Sequence, residues 1–579
     1  MFKNNNEIKK NLRVKKITIL VFIWSAFLFF LGLQYDFLDI YDLLIFWCAI
    51  LLMIGVVIYQ IFFFTNKTFI LFEIFFIYLF LHLIFVFGYY GLHGSDSYYD
   101  YGIFKEILNT NKFILKSGVN GYPILHIFSS IIYFFTNINT MLIAKFLPSL
   151  ISSLIVFPIY LVGVKIYHDE RIALLSSLIF GTIPQFMSFD SNYVREIFGL
   201  FMMILFFYFI GTSIRVKFSS YYLMVFILIP IIIISHHLSS FLFLFLMITY
   251  LIVSFVLLYF NKIMKYVKSK IQIMGIDQAK INYRLLLIVI LFSISLLAYW
   301  FYVYGIDLVG LLESFILDAL GIRNSPSGGG TYAEAINLGA PIITVKGKII
   351  YYGFFFFVFL FSILLIIKIF IKIIYNKIED STFIIFYFFS MALGFSTLFL
   401  ISGAVIPDRF LPFAFLFGLL PLTDFILVLK KNIGKKIITI ILISFIVFNL
   451  YNIDTHNYTY NASFTEGAVK EGEYLIANHI SFPKKYYGYI AVVAAIYDIQ
   501  GIEQRAGGMD LSFIKIPDFR NSSSMAVINE AQYDNDLINL QQKSPKSYSG
   551  LVELLSLKND INVDKICDFG RIYVIKGGG

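Results

Sequence analysis

The chain has 579 residues, of which 59% are apolar, 19% aromatic and 14% charged. A soluble domain carries about 25% charged and about 45–50% apolar residues, so a secreted soluble enzyme, a coiled coil and a disordered chain are excluded and many membrane spans are expected. The net charge of +9 is unevenly held: residues 451–579 carry 12 Lys+Arg against 15 Asp+Glu, leaving 33 against 21 elsewhere, and a basic excess in short loops marks membrane topology and argues against nucleic acid as a partner.

A span takes roughly 20 mostly apolar residues. In chain order, 13 stretches qualify: 17–35, 43–64, 69–91, 140–164, 172–189, 197–214, 221–235, 238–260, 285–304, 349–375, 383–402, 411–429 and 437–451. The segment Pro123 to Thr136 is apolar but short, and reads as an interfacial or re-entrant helix. With the N-terminus inside, the inner loops hold 24 Lys+Arg and the outer loops and outer span ends 9, the asymmetry expected of cytoplasmic loops. The first span has a basic flank and no small-residue cleavage site after it, so it reads as a retained anchor. An odd number of spans places residues 452–579 outside. That tail has ordinary composition and alternating stretches such as Arg571-Ile-Tyr-Val-Ile575, which suits a small α/β domain. The expected fold is therefore an all-α polytopic membrane protein of about 13 spans over residues 1–451, with large outer loops at 92–139 and 305–348, followed by an extracytoplasmic α/β domain over 452–579. Cys48 and Cys567 are too few for a disulfide framework or a thiolate metal site.

An ionisable residue inside a membrane costs on the order of 2.5–3.5 kcal/mol at mid-depth and marks function by default. Five polar clusters fall on the outer side of this frame. The first outer loop reads Leu92-His-Gly-Ser-Asp-Ser-Tyr-Tyr-Asp-Tyr-Gly102. Asp96 and Asp100 are four apart and share a face on a helix. They suit a divalent cation or a base, or else Asp96 caps a helix over about 97–108 with Asp100 in its first turn; His93 lies beside them. Asp190, Arg195 and Glu196 form the second cluster, where an arginine fork grips phosphate and carboxylates hold a metal or the arginine, unless the group is an interfacial anchor. His236 and His237 break the apolar run at the third, as phosphate or metal contacts or as a polar hairpin tip. The loop 305–348 carries three consecutive glycines before Thr331-Tyr-Ala-Glu334 and is longer than ordinary connectors, which favours a lid or binding loop. Asp408 and Arg409 form the fifth, with Arg409 a second phosphate clamp.

This layout resembles the GT-C membrane glycosyltransferases, and among them the oligosaccharyltransferase catalytic subunit with thirteen spans, a cytoplasmic N-terminus and an outer C-terminal domain. Gly94-Ser-Asp-Ser-Tyr-Tyr99 is similar to the acidic motif of the family's first outer loop, Asp190 to Glu196 occupies the place of the second acidic motif, and Thr331-Tyr-Ala-Glu334 is similar to a Thr-x-x-Glu motif in a late outer loop. The resemblance implies that Asp96 is the catalytic and metal-binding carboxylate, that Asp190, Glu196 and Glu334 join it around a divalent cation (Mg2+ or Mn2+), and that transfer inverts the anomeric carbon. Arg195, His236, His237 and Arg409 are then the candidates for the donor phosphate. The sequence departs from oligosaccharyltransferases in having no tryptophan in the tail, where Tyr486-Tyr-Gly-Tyr489 is the nearest run to their Trp-Trp-Asp-Tyr-Gly motif. That departure shifts the expectation to a cell-membrane enzyme of the envelope. It would move a sugar from a polyprenyl-phosphate-linked donor to a glycan, lipid or protein acceptor, with protein N-glycosylation as the first alternative and a lipid or glycan flippase as the second. The Ile-, Lys- and Asn-rich composition and the ending at Lys565–Val574 look like archaeal members.

Overall fold

The computed structural model describes residues 5–32, 44–64, 66–88, 92, 95–112, 121–183, 187, 190–215, 219–237, 239–248, 251–252, 283–304, 419–420, 422–424, 427, 486–487, 525–529, 563–568 and 572–577. Apolar blocks with no water to satisfy their backbone must close their hydrogen bonds internally, and they do so as helices. These are α1 (Asn5–Gly32), α2 (Leu44–Phe63), α3 (Lys67–Gly88), α4 (Ser95–Thr110), α5 (Ile124–Thr136), α6 (Thr140–Leu154), α7 (Val156–Tyr167) and α8 (Glu170–Phe180). After them come α9 (Arg195–Arg215), α10 (Ser219–Ser235), α11 (Ser239–Ile248) and α12 (Tyr283–Tyr304). Among the described residues, five stretches are long and apolar enough to cross a membrane: Val14–Gly32, Ile45–Phe63, Lys67–Phe87, Thr140–Tyr167 and Leu286–Val303. The expected spans at 349–375, 383–402 and 437–451 lie outside the described residues, as does most of 411–429.

The main apolar core joins α1, α2 and α3 to α7 through α12, with Ile54, Ile74, Leu178, Met203, Ile232 and Phe292 fully or almost fully buried. Large apolar side chains also face outward, including Leu20, Trp24, Phe63, Leu287 and Phe301. An outward apolar surface is costly in water and natural in lipid. Between α2 and α3, the buried Gln60 amide donates to Glu73 Oε1 at 3.1 Å, the type of polar contact that ties helices together where no hydrophobic drive separates them from lipid.

Two expected spans have finer structure than their hydropathy suggests. The stretch 140–164 is two helices meeting at Ile155, whose N–H turns back to the Ser152 carbonyl. Pro158 has no N–H to offer the Leu154 carbonyl, so the regular ladder is interrupted there. In the stretch 172–189, α8 ends at Phe180 and the chain turns at Gly181–Thr182. The Tyr78 ring of α3 lies directly over Gly181, in the space a β-carbon would fill. A Gly181→Ala substitution is therefore expected to overpack this crossing and lower the melting temperature of the detergent-solubilised protein, at a cost of about 1–3 kcal/mol or more; an unchanged melting curve would show that Tyr78 can move aside.

The short segment read as interfacial is the 13-residue α5. Its Leu125, His126, Ser129 and Ser130 are buried while Ile131, Phe134 and Phe135 are exposed. A polar side turned inward and an aromatic side turned outward invert the pattern of a soluble helix. Asn137 in the left-handed region ends α5, and the Asn139 side chain accepts the Met141 N–H at 2.8 Å to start α6, so three residues suffice to turn the chain.

In the tail, the described strands are β1 (Tyr486–Tyr487), β2 (Met525–Asn529), β3 (Val563–Asp568) and β4 (Ile572–Gly577), ordered β1-β2-β4-β3. β1 and β2 are parallel, β4 is antiparallel to both its neighbours, and the β3–β4 register shifts between Lys565 and Cys567. The alternating stretch that suggested a strand is thus largely β4, whose period of two suits a sheet.

Candidate active site

A second apolar cluster adjoins the main core, with Phe201 and Met202 packed against both. Leu92, Tyr101, Phe104, Leu125, Ile143, Leu147, Ile151, Val194 and Ile197 join α4, α5, α6 and the start of α9. Tyr101 Oη lies 2.8 Å from Thr140 Oγ1, linking α4 to the first turn of α6. This platform carries the polar residues of the first two outer clusters.

At its centre, Arg195 Nε donates to Asp100 Oδ1 at 2.9 Å, with the two side chains 8% and 3% exposed. His126 Nε2 reaches the same oxygen at 3.2 Å and is fully buried. A carboxylate oxygen accepts, so Nε2 carries the imidazole proton and Nδ1 is the bare nitrogen; Nδ1 has no hydrogen-bond partner. Burial holds His126 below its ordinary pKa, against the opposing pull of Asp100. The neighbouring Tyr193 is fixed at both ends. Its N–H donates to Ser97 Oγ at 2.9 Å, and its hydroxyl lies 2.6 Å from Ser129 Oγ. Because Ser129 spends its one hydrogen on the Leu125 carbonyl, the Tyr193 hydroxyl is the donor.

Asp190 is buried, its backbone carbonyl accepts from Ser152 Oγ at 3.1 Å, and its Oδ2 has no hydrogen-bond partner. Burial first, and the charge of Glu196 second, push its carboxyl well above the usual range. Glu196 is itself buried in the first turn of α9. Two hard carboxylate oxygens of this kind suit Mg2+ or Mn2+; among the described residues no group of three or more acidic, histidine or cysteine side chains is gathered to hold a metal.

The histidine pair lies between α10 and α11. Ser239 N–H donates to His236 Nδ1 at 3.3 Å, which leaves the proton of a neutral ring on Nε2. The His236 and His237 rings are 4.7 Å apart, and His237 is 5.5 Å from the Tyr122 ring just before α5. Tyr122 in turn meets Tyr299 of α12 at 5.9 Å, and the Tyr299 hydroxyl donates to the Gly121 carbonyl. Gly199, one turn after Arg195, packs against Ser235 and Ser239, where a β-carbon would come within 3.0 Å of Ser235 Oγ. The break holding the histidines is therefore drawn against both α5 and the start of α9.

Of the residues singled out in the sequence, Asp100 is paired with Arg195 and Asp190 lies within the charge of Glu196, the chain neighbour of Arg195, while His236 and His237 meet each other and Tyr122. Asp96 lies in the first turn of α4, which begins at Ser95 and not at about residue 97, so Asp100 is in the second turn. His93, Glu334, Asp408 and Arg409 lie outside the described residues. His126, Tyr193, Ser97 and Ser129 are the additions. An ionisable residue inside an apolar segment too short to span is the signal for His126; nothing in the sequence marks the serines.

The histidine has a measurable consequence. Unfolded, His126 protonates near pH 6.5; folded, it resists protonation to lower pH. Its contribution is complete above about pH 6.5 and is lost as pH falls from there through the folded pKa, because only the unfolded chain takes up the proton in that window. Melting temperature is expected to drop on acidification through this window, and more shallowly in His126→Gln; parallel pH profiles would refute this.

No protein-family model and no curated protein sequence matches the chain. Among solved structures, the oligosaccharyltransferase of Archaeoglobus fulgidus tethered with an acceptor peptide is similar over 82% of this chain and 71% of its own, at 12% identity and a TM-score of 0.49. ArnT from Cupriavidus metallidurans bound to undecaprenyl phosphate is similar over 88% of this chain and 97% of its own, at 10% identity and a TM-score of 0.49. A likeness of this extent assigns no reaction; that falls to the residues.

Proposed function

We propose that the chain is a membrane glycosyltransferase of GT-C type that transfers a sugar from a polyprenyl-phosphate-linked donor to an extracytoplasmic glycan, lipid or protein acceptor. The observation that supports this reading best is the buried Asp100–Arg195 ion pair between the first two outer loops, with Asp190 and Glu196, the chain neighbour of Arg195, buried as well. Water-excluded acids and an arginine of this density cost stability and suit charge chemistry. A donor phosphate would meet Arg195, His236 and His237, with Arg409 as a further candidate, through charge-assisted hydrogen bonds. The acceptor hydroxyl oxygen bonds to the anomeric carbon while the bond from that carbon to the phosphate oxygen breaks, leaving both electrons with the polyprenyl phosphate. Asp96 takes the hydroxyl proton. A divalent cation, when bound, neutralises charge on the departing phosphate; Asp190 and Glu196 would hold it, with Asp96 and Glu334 as the other candidates.

The test is transfer itself. Full-length protein in vesicles, supplied with radiolabelled polyprenyl-phosphate-linked sugars and with peptide, lipid and glycan acceptors in separate arms, is expected to move label onto one acceptor class and release polyprenyl phosphate. Donor left intact in every arm would overturn the proposal. Label on a sequon peptide would select protein N-glycosylation.

A further inference from the structure

We infer that Asp100 and His126 form a positioning pair whose task is to hold the Arg195 guanidinium in the orientation that receives the donor phosphate; the inference rests on the phosphate role proposed for Arg195. The geometry is a relay of three buried side chains from three helices. His126 of α5 donates to Asp100 Oδ1 of α4 at 3.2 Å, and the same oxygen accepts from Arg195 Nε of α9 at 2.9 Å. An arginine gripped at Nε loses rotation about its last side-chain bond, so the plane of its terminal nitrogens is fixed before a ligand arrives. Pre-set geometry of this kind lowers the ordering cost of binding.

The role of His126 follows from its donor. A carboxylate that holds an arginine with one oxygen can swing about its own terminal torsion, which is soft. A second donor on that oxygen, from a helix on the other side, removes the swing. The helices themselves are locked nearby: Tyr193, two residues before Arg195, is bonded to Ser97 of α4 and Ser129 of α5. Asp100 is thereby a counter-ion with a fixed direction, and His126 is a positioning residue that acts through it without touching the substrate.

The two amide side chains separate this role from others. Glutamine at position 126 places its N–H2 near the site of Nε2 and keeps the donation to Asp100. Asparagine places its amide near the site of Nδ1 and loses it. Binding of a C55 polyprenyl phosphate to the full-length protein in detergent, with the matching polyprenol as control, reads the effect without requiring transfer. His126→Asn is expected to weaken phosphate-dependent binding about tenfold, the scale of one hydrogen bond to a charged group. His126→Gln is expected to bind within about threefold of the parent, well under the loss that one such bond carries. Equal affinities for the two variants, or a tenfold loss in His126→Gln, would overturn the inference. If His126→Asn fails to melt cooperatively, His126→Gln alone decides by the same criterion. Arg195→Gln in the same assay tests the underlying reading. Unchanged binding there would remove Arg195 from the phosphate site, whereas a loss there with parent-like binding in His126→Asn would defeat the positioning role only.

Discussion

Replacing Arg195 with alanine is expected to destabilise the protein by about 3–5 kcal/mol, because it strands a carboxylate in a buried site. Asp100 is 3% exposed at its side chain, and the arginine is its short ion-pair partner at 2.9 Å. His126 remains within reach, but burial opposes its taking up the compensating charge. Removing both charges together, as in Asp100→Leu with Arg195→Met, is expected to recover much of the lost stability, since a buried ion pair replaced by apolar groups of similar volume is often neutral or stabilising. Sugar transfer is expected to fail in the double variant as well as in the single one. Thermal unfolding and transfer measured on the same preparations check this: restored melting with restored transfer would show that the pair is structural, and an Arg195→Ala variant as stable as the parent would show that the carboxylate finds another counter-charge.

Asp96→Ala is expected to leave the melting temperature close to that of the parent and to lower transfer by about 10²–10⁴-fold, the contribution typical of a positioned base. The substitution sits in the first turn of α4, where the helix tolerates alanine well. Asp100, one turn further along, keeps its own partners, so the ion pair that closes the site is not removed with the base. Transfer at the parent rate by a folded Asp96→Ala protein would take the base role away from this residue, and with it the resemblance between Gly94–Tyr99 and the acidic motif of the first outer loop.

Much of the candidate site was legible because the membrane makes charge informative. Asp100, Asp190, Arg195 and Glu196 stood out as ionisable residues at the ends of apolar blocks, and the structure buries all four. Asp96 and Asp100 do stand one turn apart on a single helix, as their spacing implied, and the Asp100 carboxylate is bonded to His126 and Arg195. Asp190, Arg195 and Glu196 had an interfacial anchor as their alternative reading, although three such groups are more than anchoring needs, and their burial argues against it. His126 carries little sequence signal because hydropathy averages it away among Ile, Leu and Phe neighbours, although its ring is fully buried and hydrogen-bonded.

By itself the sequence determined the helical membrane character, the short α5 between long apolar blocks, the strand at the end of the tail and the positions where polar groups collect. Each of these is a local property, carried by hydropathy over one helix length or by a period of two along a strand. The tertiary structure alone decided that the Asp190–Glu196 segment closes over α4 and α5, through partners 96 positions apart at Ser97 and Tyr193 and 64 apart at Ser129 and Tyr193. It also decided that Gly181 interrupts an apolar run where Tyr78 crosses it. Such pairings depend on how rigid helices pack, and a donor and an acceptor far apart in the chain carry no shared local signal until packing removes water from both and forces them to satisfy each other.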